Sequence, residues 1–200
     1  MSSKEEQITR LLADIRSCRD CIVSSRHTPV VYSSKTPEVL ILSQVPPENA
    51  WAGDLGDKWM ASLEISTSRG GTASNLCEWL GLGSTEADNV IFWIQRVNCR
   101  MDYGWDYAFQ HCSRKFIQRA IQVVKPKAII TLGRSGADWF LQFKSLADVV
   151  GRKFDYHVDD ETYSVVPFFH PSNANRAALK EYQSNQDEAI RIAKALIGKR

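Results

Sequence analysis

Short apolar runs alternate with longer amphipathic segments along this chain, a pattern that predicts alternating strands and helices. Continuous apolar runs bounded by turn-forming residues are typical of strands that are buried on both faces of a sheet. Such runs occur at 39–42, 90–94, 128–132 and 163–169, with a weaker candidate at 153–158. Apolar residues at helical spacing predict helices at about 5–15, 76–82, 107–124, 135–140 and 181–197.

The alternation of strands and helices predicts a parallel sheet with helices on both faces. We expect an α/β fold of three layers around a central, mostly parallel four-stranded sheet. The 200 residues are enough for one domain with a substantial core, spanning 1–200. No internal repeat, low-complexity tract or linker divides the chain.

Composition narrows the functional classes without selecting one. The net charge of +2 is too small to argue for a nucleic-acid partner by itself. The polar N-terminus is unlike a secretory signal, and no apolar run approaches the roughly 20 residues that span a bilayer. We therefore expect a cytoplasmic monomer with no membrane partner.

Four of the five cysteines form a pattern typical of a metal centre. Cys18 and Cys21 form a CxxC pair, and Cys99 and Cys112 lie far downstream. In the cytosol such a set is more often metal-binding or catalytic than disulfide-bonded. Four thiolates suit zinc or an iron–sulfur cluster, and the spacing leaves both open. Cys77 falls in a predicted helix, and we expect it to be a buried apolar residue.

Polar side chains follow the predicted strands, where parallel α/β sheets bind their ligands. Gln44, Gln95 and Asn98 carry amides that can read the edge of a base or bond to backbone. Arg134 follows the third strand and could add positive charge at the same edge, although most scattered basic residues are simply solvated. Trp51 lies in a polar, Gly-rich stretch and can stack on a flat ligand.

His170 ends the last predicted strand, and the following Pro171 keeps it out of the helical region. Its imidazole can donate a hydrogen bond to a carbonyl, act as an acid or base, or simply cap the strand end. The polar turn that follows contains Ser172, which can cap the next helix, and Arg176, which can neutralise a phosphate.

The order of these motifs resembles the uracil-DNA glycosylase superfamily, most closely its iron–sulfur branch. The resemblance covers Cys18 to Arg176 and rests on the CxxC pair, the strand order, the two downstream cysteines, the segment Lys125–Gly133 and the triplet His170-Pro171-Ser172. It implies that Cys18, Cys21, Cys99 and Cys112 hold a 4Fe–4S cluster, which stabilises the fold and has no redox function.

The resemblance also implies DNA as the partner and a glycosylase reaction. The enzyme would flip out uracil or a related deaminated base and hydrolyse its N-glycosidic bond. In this interpretation His170 stabilises the departing base anion and Gln44 orients water. The remaining candidates divide into two groups: Gln95, Asn98 and Trp51 would contact the base, and Arg134, Ser172 and Arg176 would contact DNA.

Two positions depart from the pattern of that branch. Ser43-Gln44-Val45-Pro46-Pro47 stands where the branch has Gly-Glu-x-Pro-Gly, so that Gln44 replaces an acidic residue. Gln95 corresponds to the branch's base-reading asparagine. Because an amide is not a general base, Asp54 or Asp57 would have to supply any catalytic carboxylate. The competing interpretation is a non-catalytic member of the fold that binds DNA or another ligand.

Overall fold

The computed structural model describes residues 2–20, 29–46, 71–99 and 105–198, without the side chains of residues 84, 105 and 173. Four of the candidate residues, Cys21, Trp51, Asp54 and Asp57, lie outside these ranges. Within the ranges, none of the helices combines the length and the hydropathy that a membrane span requires.

A six-stranded sheet forms the centre of the described structure. Its strands are β1 (Tyr32–Ser33), β2 (Val39–Ser43), β3 (Ile91–Gln95), β4 (Ala128–Leu132), β5 (Phe154–Val158) and β6 (Glu161–Phe168). The order across the sheet is β1-β3-β2-β4-β6-β5. Strands β3, β2, β4 and β6 run parallel, while β1 and β5 pair antiparallel at the edges. The predicted mostly parallel sheet is confirmed in its four central strands, but the sheet has six strands and not four, because β1 and β5 extend its edges. The two-residue β1 is too short to show a sequence period.

Helices cover both faces of this sheet. They are α1 (Lys4–Arg16), α2 (Thr72–Leu80), α3 (Ser84–Val90), α4 (Trp105–Val124), α5 (Gly133–Ala137), α6 (Arg176–Glu181) and α7 (Gln183–Leu196), with 3₁₀ turns at Leu146–Asp148 and Asn173–Asn175. Apolar residues of α1 and α4 share one core cluster, and those of α2 and α7 share the other. The sheet lies between the two clusters, which confirms the three-layer α/β fold.

The continuous apolar runs follow from burial on both faces. In β2, Leu40 and Leu42 join the cluster under α1 and α4, while Val39 and Ile41 join the opposite cluster. Successive side chains of a strand point to opposite faces, so both faces of a doubly covered strand must be apolar. All five residues of β2 are buried.

Local signals set the helix ends. Ser3 caps α1 in a reciprocal capping box with Glu6, and Gly81 ends α2 in the left-handed conformation at φ +67°. The final predicted helix is observed as α7, and a further short helix, α6, precedes it. Tyr182 separates the two, and its ring stacks on Phe169 with centroids 5.6 Å apart.

Candidate functional site

The carboxyl ends of the four parallel strands lie in register at one edge of the sheet. Ser43 at the end of β2 pairs with Gln95 at the end of β3. Leu132 at the end of β4 pairs with Phe168 at the end of β6. The residues that follow these strands therefore meet at the same edge, as the sequence predicted.

An open cleft of about 520 Å³ lies at this edge. Its lining includes Gln44, Leu132, Gly133, Arg134, Ser135, Asp138, His170, Ser172 and Asn175. Four predicted site residues, Gln44, Arg134, His170 and Ser172, thus share one cleft although they come from three separate segments, which follow β2, β4 and β6. Gln95, Asn98 and Arg176 are not among its lining residues.

Two glycines allow α5 to approach this edge closely. Gly133 makes the turn from β4 into α5 at φ +71°, a conformation that other residues rarely adopt. A Cβ at Gly136 would lie 2.6 Å from the backbone oxygen of Leu42 in β2. Because Gly136 has no side chain, α5 can pack directly against β2 near its end, so that α5 and Gln44 line the same cleft.

His170 is fixed between two anchors. On one side, the Phe169 backbone N–H donates to Gln186 Oε1 at 2.9 Å. On the other, the Pro171 carbonyl accepts from Asn75 Nδ2 at 2.7 Å. Burial lowers the pKa of His170 below its usual 6.5, so the imidazole is neutral at pH 7. A neutral imidazole keeps one N–H donor and one free acceptor for a ligand.

The sequence of the chain matches a known family. The sequence model of the Uracil DNA glycosylase superfamily matches residues 30–194. The chain belongs to the Uracil DNA glycosylase superfamily. A search of curated proteins found no match.

Members of this superfamily are typically N-glycosidic bond hydrolases, so the chain has a DNA glycosylase-like role. The matched segment contains Gln44 and His170, which share the cleft, and Gln95 at the same sheet edge. The matched segment begins after Cys18, and the match does not show which branch of the superfamily the chain belongs to.

The carboxylate in this glycosylase-like cleft is one that the sequence reasoning missed. Asp138 directly follows α5 and lines the cleft with His170. Its Oδ1 lies 3.8 Å from Arg134 Nη1, an ion pair across one helical turn. The other guanidinium arm of Arg134 donates to the Lys144 carbonyl. The spacing of four residues after Arg134 was the signal in the sequence that could have found Asp138.

Gln95 and Asn98 form a buried unit behind the cleft. Each is only 1% exposed. The Gln95 backbone N–H donates to Asn98 Oδ1 at 3.1 Å, and Asn98 Nδ2 donates to Cys112 Sγ at 3.5 Å. The Val97 N–H donates to the Gln44 carbonyl at 3.1 Å, which ties this segment to the cleft. Among the described residues, Gln95 Oε1 has no hydrogen-bond partner.

Arg96, which follows Gln95, makes a second connection between the end of β3 and the cleft wall. Its Nη1 donates to the Ser135 carbonyl at 3.0 Å, and its Nε donates to Ser113 Oγ of α4 at 3.3 Å. Burial lowers the pKa of Arg96, and the negative charge of Asp138 partly opposes that shift. Its guanidinium also lies 4.9 Å from the Phe109 ring centroid. Arg96 thereby links β3, α4 and the turn before Asp138.

Three of the four predicted metal ligands line a second pocket, which we call the cysteine pocket. Its lining includes Cys18, Cys99 and Cys112, together with Asn98 and His111. The fourth predicted ligand, Cys21, is outside the described residues. In the described ranges, no group of three or more His, Cys, Asp or Glu side chains is arranged to hold a metal ion.

The other cysteine lies apart from this pocket. Cys77 is buried in the core cluster beneath α2, as predicted, and burial raises the pKa of its thiol to about 11. This thiol is therefore protonated at neutral pH.

Ion pairs hold the N-terminal segment to α4. Arg119 Nη2 lies 2.6 Å from Asp14 Oδ2. Asp20 accepts from Lys115 and lies 3.3 Å from His111 Nε2. Lys115 Nζ also lies 3.8 Å from Cys18 Sγ. Cys18 and Cys112 therefore both line a pocket at a junction that these ion pairs hold together.

Proposed function

We propose that this chain is a DNA glycosylase that flips out uracil or a related deaminated base and hydrolyses its N-glycosidic bond. The observation that carries the proposal is the shared cleft of Gln44 and His170 in a chain of the Uracil DNA glycosylase superfamily. Base flipping is required because the reacting bond is inaccessible within a stacked duplex.

His170 would act as the hydrogen-bond donor to the base. Its lowered pKa keeps the imidazole neutral at pH 7, and its two anchored neighbours hold its position. As the glycosidic bond breaks, negative charge develops on the base carbonyl, and a fixed donor stabilises that charge more than it stabilises the substrate.

Gln44 would orient the attacking water. Its amide can accept a hydrogen bond from water but cannot remove the proton, so the reaction must be dissociative, with cationic character on the sugar. The glycosidic bond breaks first, water then adds to the sugar cation, and the proton that this water loses neutralises the departed base anion. Asp138 lines the same cleft and provides a negative charge that can stabilise this cation. We therefore assign this electrostatic role to Asp138, whereas the sequence offered Asp54 or Asp57 as the source of a catalytic carboxylate.

Gln95 is the better supported of the two buried amides as a base reader. Its Oε1 lacks a partner among the described residues, so a base N–H could satisfy it, whereas both polar ends of Asn98 are engaged by the protein. Trp51 remains a proposed stacking residue. Arg134, Ser172 and the exposed Arg176 remain proposed DNA contacts, Ser172 being braced by Asn175 Nδ2 at 2.9 Å.

We further propose that the chain belongs to the iron–sulfur branch, with a 4Fe–4S cluster on Cys18, Cys21, Cys99 and Cys112. Two observations support this proposal: three of the four sulfurs line one pocket, and two of them receive donors, from Lys115 and Asn98. Such donors are typical around cluster thiolates. When bound, the cluster would cross-link the N-terminal segment to α4 and take no part in the hydrolysis.

Metal content distinguishes this cluster from zinc. Anaerobically purified protein should be brown and contain iron and sulfide, and Cys99→Ala should remove both. Cys77→Ala is the control, since Cys77 lies in the core and should leave the metal content unchanged. A colourless protein that contains stoichiometric zinc would contradict the cluster assignment.

The catalytic proposal is tested by excision from uracil-, hypoxanthine- and xanthine-containing oligonucleotides, single- and double-stranded. Wild-type protein should release at least one of these bases, and His170→Ala should slow release by roughly 10²- to 10³-fold. His157→Ala is the matched control, because His157 lies on the edge strand β5 and bonds only to Thr162 among the described residues. Equal rates for the two variants would contradict the role of His170.

The alternative is a non-catalytic member of the same fold that binds DNA or another ligand. The presence of Gln44 at the position of the branch's acidic residue favours it. This alternative predicts binding without release of any base in the panel.

A further inference from the structure

We propose that an exposed surface of α4, outside the cleft, binds an unpaired segment of nucleic acid. This surface, the α4 platform, consists of Tyr107, His111 and Arg114. It deepens the proposed function, because it supplies a second contact to the DNA, but it rests on separate observations and can fail separately.

The platform begins with a pair of parallel aromatic rings. Tyr107 is 59% exposed, and no other large apolar side chain is exposed in the part of the chain that the structure describes. Its ring stacks on His111 with centroids 5.5 Å apart and planes only 8° from parallel. His111 covers one face of the tyrosine ring, and no other ring among the described residues stacks on it, so the opposite face can receive another flat ring.

This ring pair is held in place before any ligand arrives. His111 Nε2 lies 3.3 Å from Asp20 Oδ2, and Asp20 also accepts from Lys115. The imidazole therefore has a fixed orientation, and it supports Tyr107 from behind. A ring that is already oriented loses little conformational entropy when a base stacks on it.

A cation lies on the same helix face. Tyr107, His111 and Arg114 are spaced by four and three residues, and they line one open groove of about 370 Å³ with Gln110 and Lys115. The charge of Lys115 is matched by Asp20. Exposed Arg114 has no hydrogen bond or ion pair with any described residue. Its guanidinium is thus available to a phosphate.

This combination favours nucleic acid over other occupants. Aromatic rings that stack bases, combined with cations that follow the backbone, are the usual chemistry of single-strand binding. Tyr107 and Arg114 are separated by about 10 Å along the helix, at 1.5 Å per residue, so a short run of nucleotides can reach both.

The helix that bears the platform also contacts the sheet edge that bears the cleft. Ser113, the neighbour of Arg114, contacts Arg96 Nε at 3.3 Å, and Arg96 directly follows β3. Arg96 in turn donates to Ser135, which lines the cleft. The helix that bears the platform is therefore connected to the cleft wall through buried Ser113 and through Arg96.

The test measures fluorescence anisotropy of the full-length protein with a labelled, undamaged oligo-dT. Tyr107→Ser should weaken binding roughly tenfold, and Tyr107→Phe should retain it, because stacking requires the ring and not the hydroxyl. Arg114→Gln should make the slope of log K against log salt less negative by about 0.7. Arg191→Gln, an exposed arginine on α7, should leave both quantities unchanged.

Each result supports or overturns the proposal. It is overturned if oligo-dT does not bind, if Tyr107→Ser binds like wild type, or if Tyr107→Phe loses as much affinity as Tyr107→Ser. A surface that serves a protein partner would give the first or second result. Matched thermal melting of the variants excludes unfolding as the cause of a loss.

The same experiment separates this proposal from the glycosylase assignment. If wild-type protein releases no base but Tyr107→Ser still weakens binding, the catalytic assignment fails and the α4 platform stands. If release is normal and Tyr107 has no effect on binding, only the platform fails.

Discussion

Substitution of Gly136 by alanine tests whether the close contact between α5 and β2 builds the cleft. A Cβ at this position would lie 2.6 Å from the Leu42 backbone oxygen and 3.3 Å from Thr131 Cβ. The first distance is about 0.8 Å short of the 3.4 Å at which ordinary contact begins. Since Leu42 and Thr131 are paired in the middle of the sheet, α5 must move instead.

The cost of this movement follows from overpacking, which typically destabilises a protein by about 1–3 kcal/mol. For a chain of this size, that corresponds to a fall in Tm of roughly 2–12 °C. The shift of α5 should also displace Ser135 and Asp138 from their places in the cleft. We therefore expect slower base release in addition to the lower Tm.

The assay compares Gly136→Ala with Gly83→Ala by thermal unfolding and by base release. Gly83 precedes α3 at φ −65°, and no described atom would lie within 4 Å of a Cβ there. Its replacement should change Tm by less than the Gly136 variant does. Equal Tm values for Gly136→Ala and wild type would refute the argument that this contact holds α5 against β2.

Three further predictions concern the cleft and the segment behind it. Because burial lowers the pKa of His170 in the folded protein, the unfolded chain binds more protons just below pH 6.5, so stability should fall as pH drops through this range. When unfolding free energies are measured with urea at several pH values, His170→Gln should reduce their dependence on pH. An unchanged pH dependence would contradict this contribution of His170. In the same assay, Asn98→Ala should lower the free energy of unfolding by about 1–3 kcal/mol, because it leaves the buried Gln95 N–H unpaired. Exposed Asn89→Ala should lower it much less, and equal losses for the two variants would count against this role of Asn98. Asp138→Asn should lower kcat for base release without weakening DNA binding, and an unchanged kcat would remove Asp138 from the mechanism.

The segment from Gln95 to Cys99 connects the two candidate sites. Asn98 touches both the Gln95 backbone and the Cys112 sulfur, and Arg96 reaches from β3 to Ser135. The conformation of this segment therefore depends on the cysteine pocket and on the cleft at the same time. This arrangement gives a physical reason why a purely structural metal centre would still matter to base release.

The sequence by itself was sufficient to predict the layered α/β fold. Apolar periodicity depends on which faces are buried, and it located β2, β3, β4 and β6 within one or two residues. The position of His170 at a strand end could also be predicted, because the strand and Pro171 that bracket it are local signals. The burial of Cys77 could be predicted as well, because Cys77 lies among the apolar residues of a helix predicted from their spacing.

Side-chain direction in the loops was decided only by the tertiary structure. Asn98 and Gln44 both looked like ligand-reading amides, yet Asn98 turns inward to Gln95 and Cys112 while Gln44 lines the cleft. Asp138 became a site residue only because Gly136 lets α5 approach β2. Periodicity reports burial along one element, whereas these placements depend on hydrogen bonds and contacts between residues far apart in the chain, which no local pattern encodes.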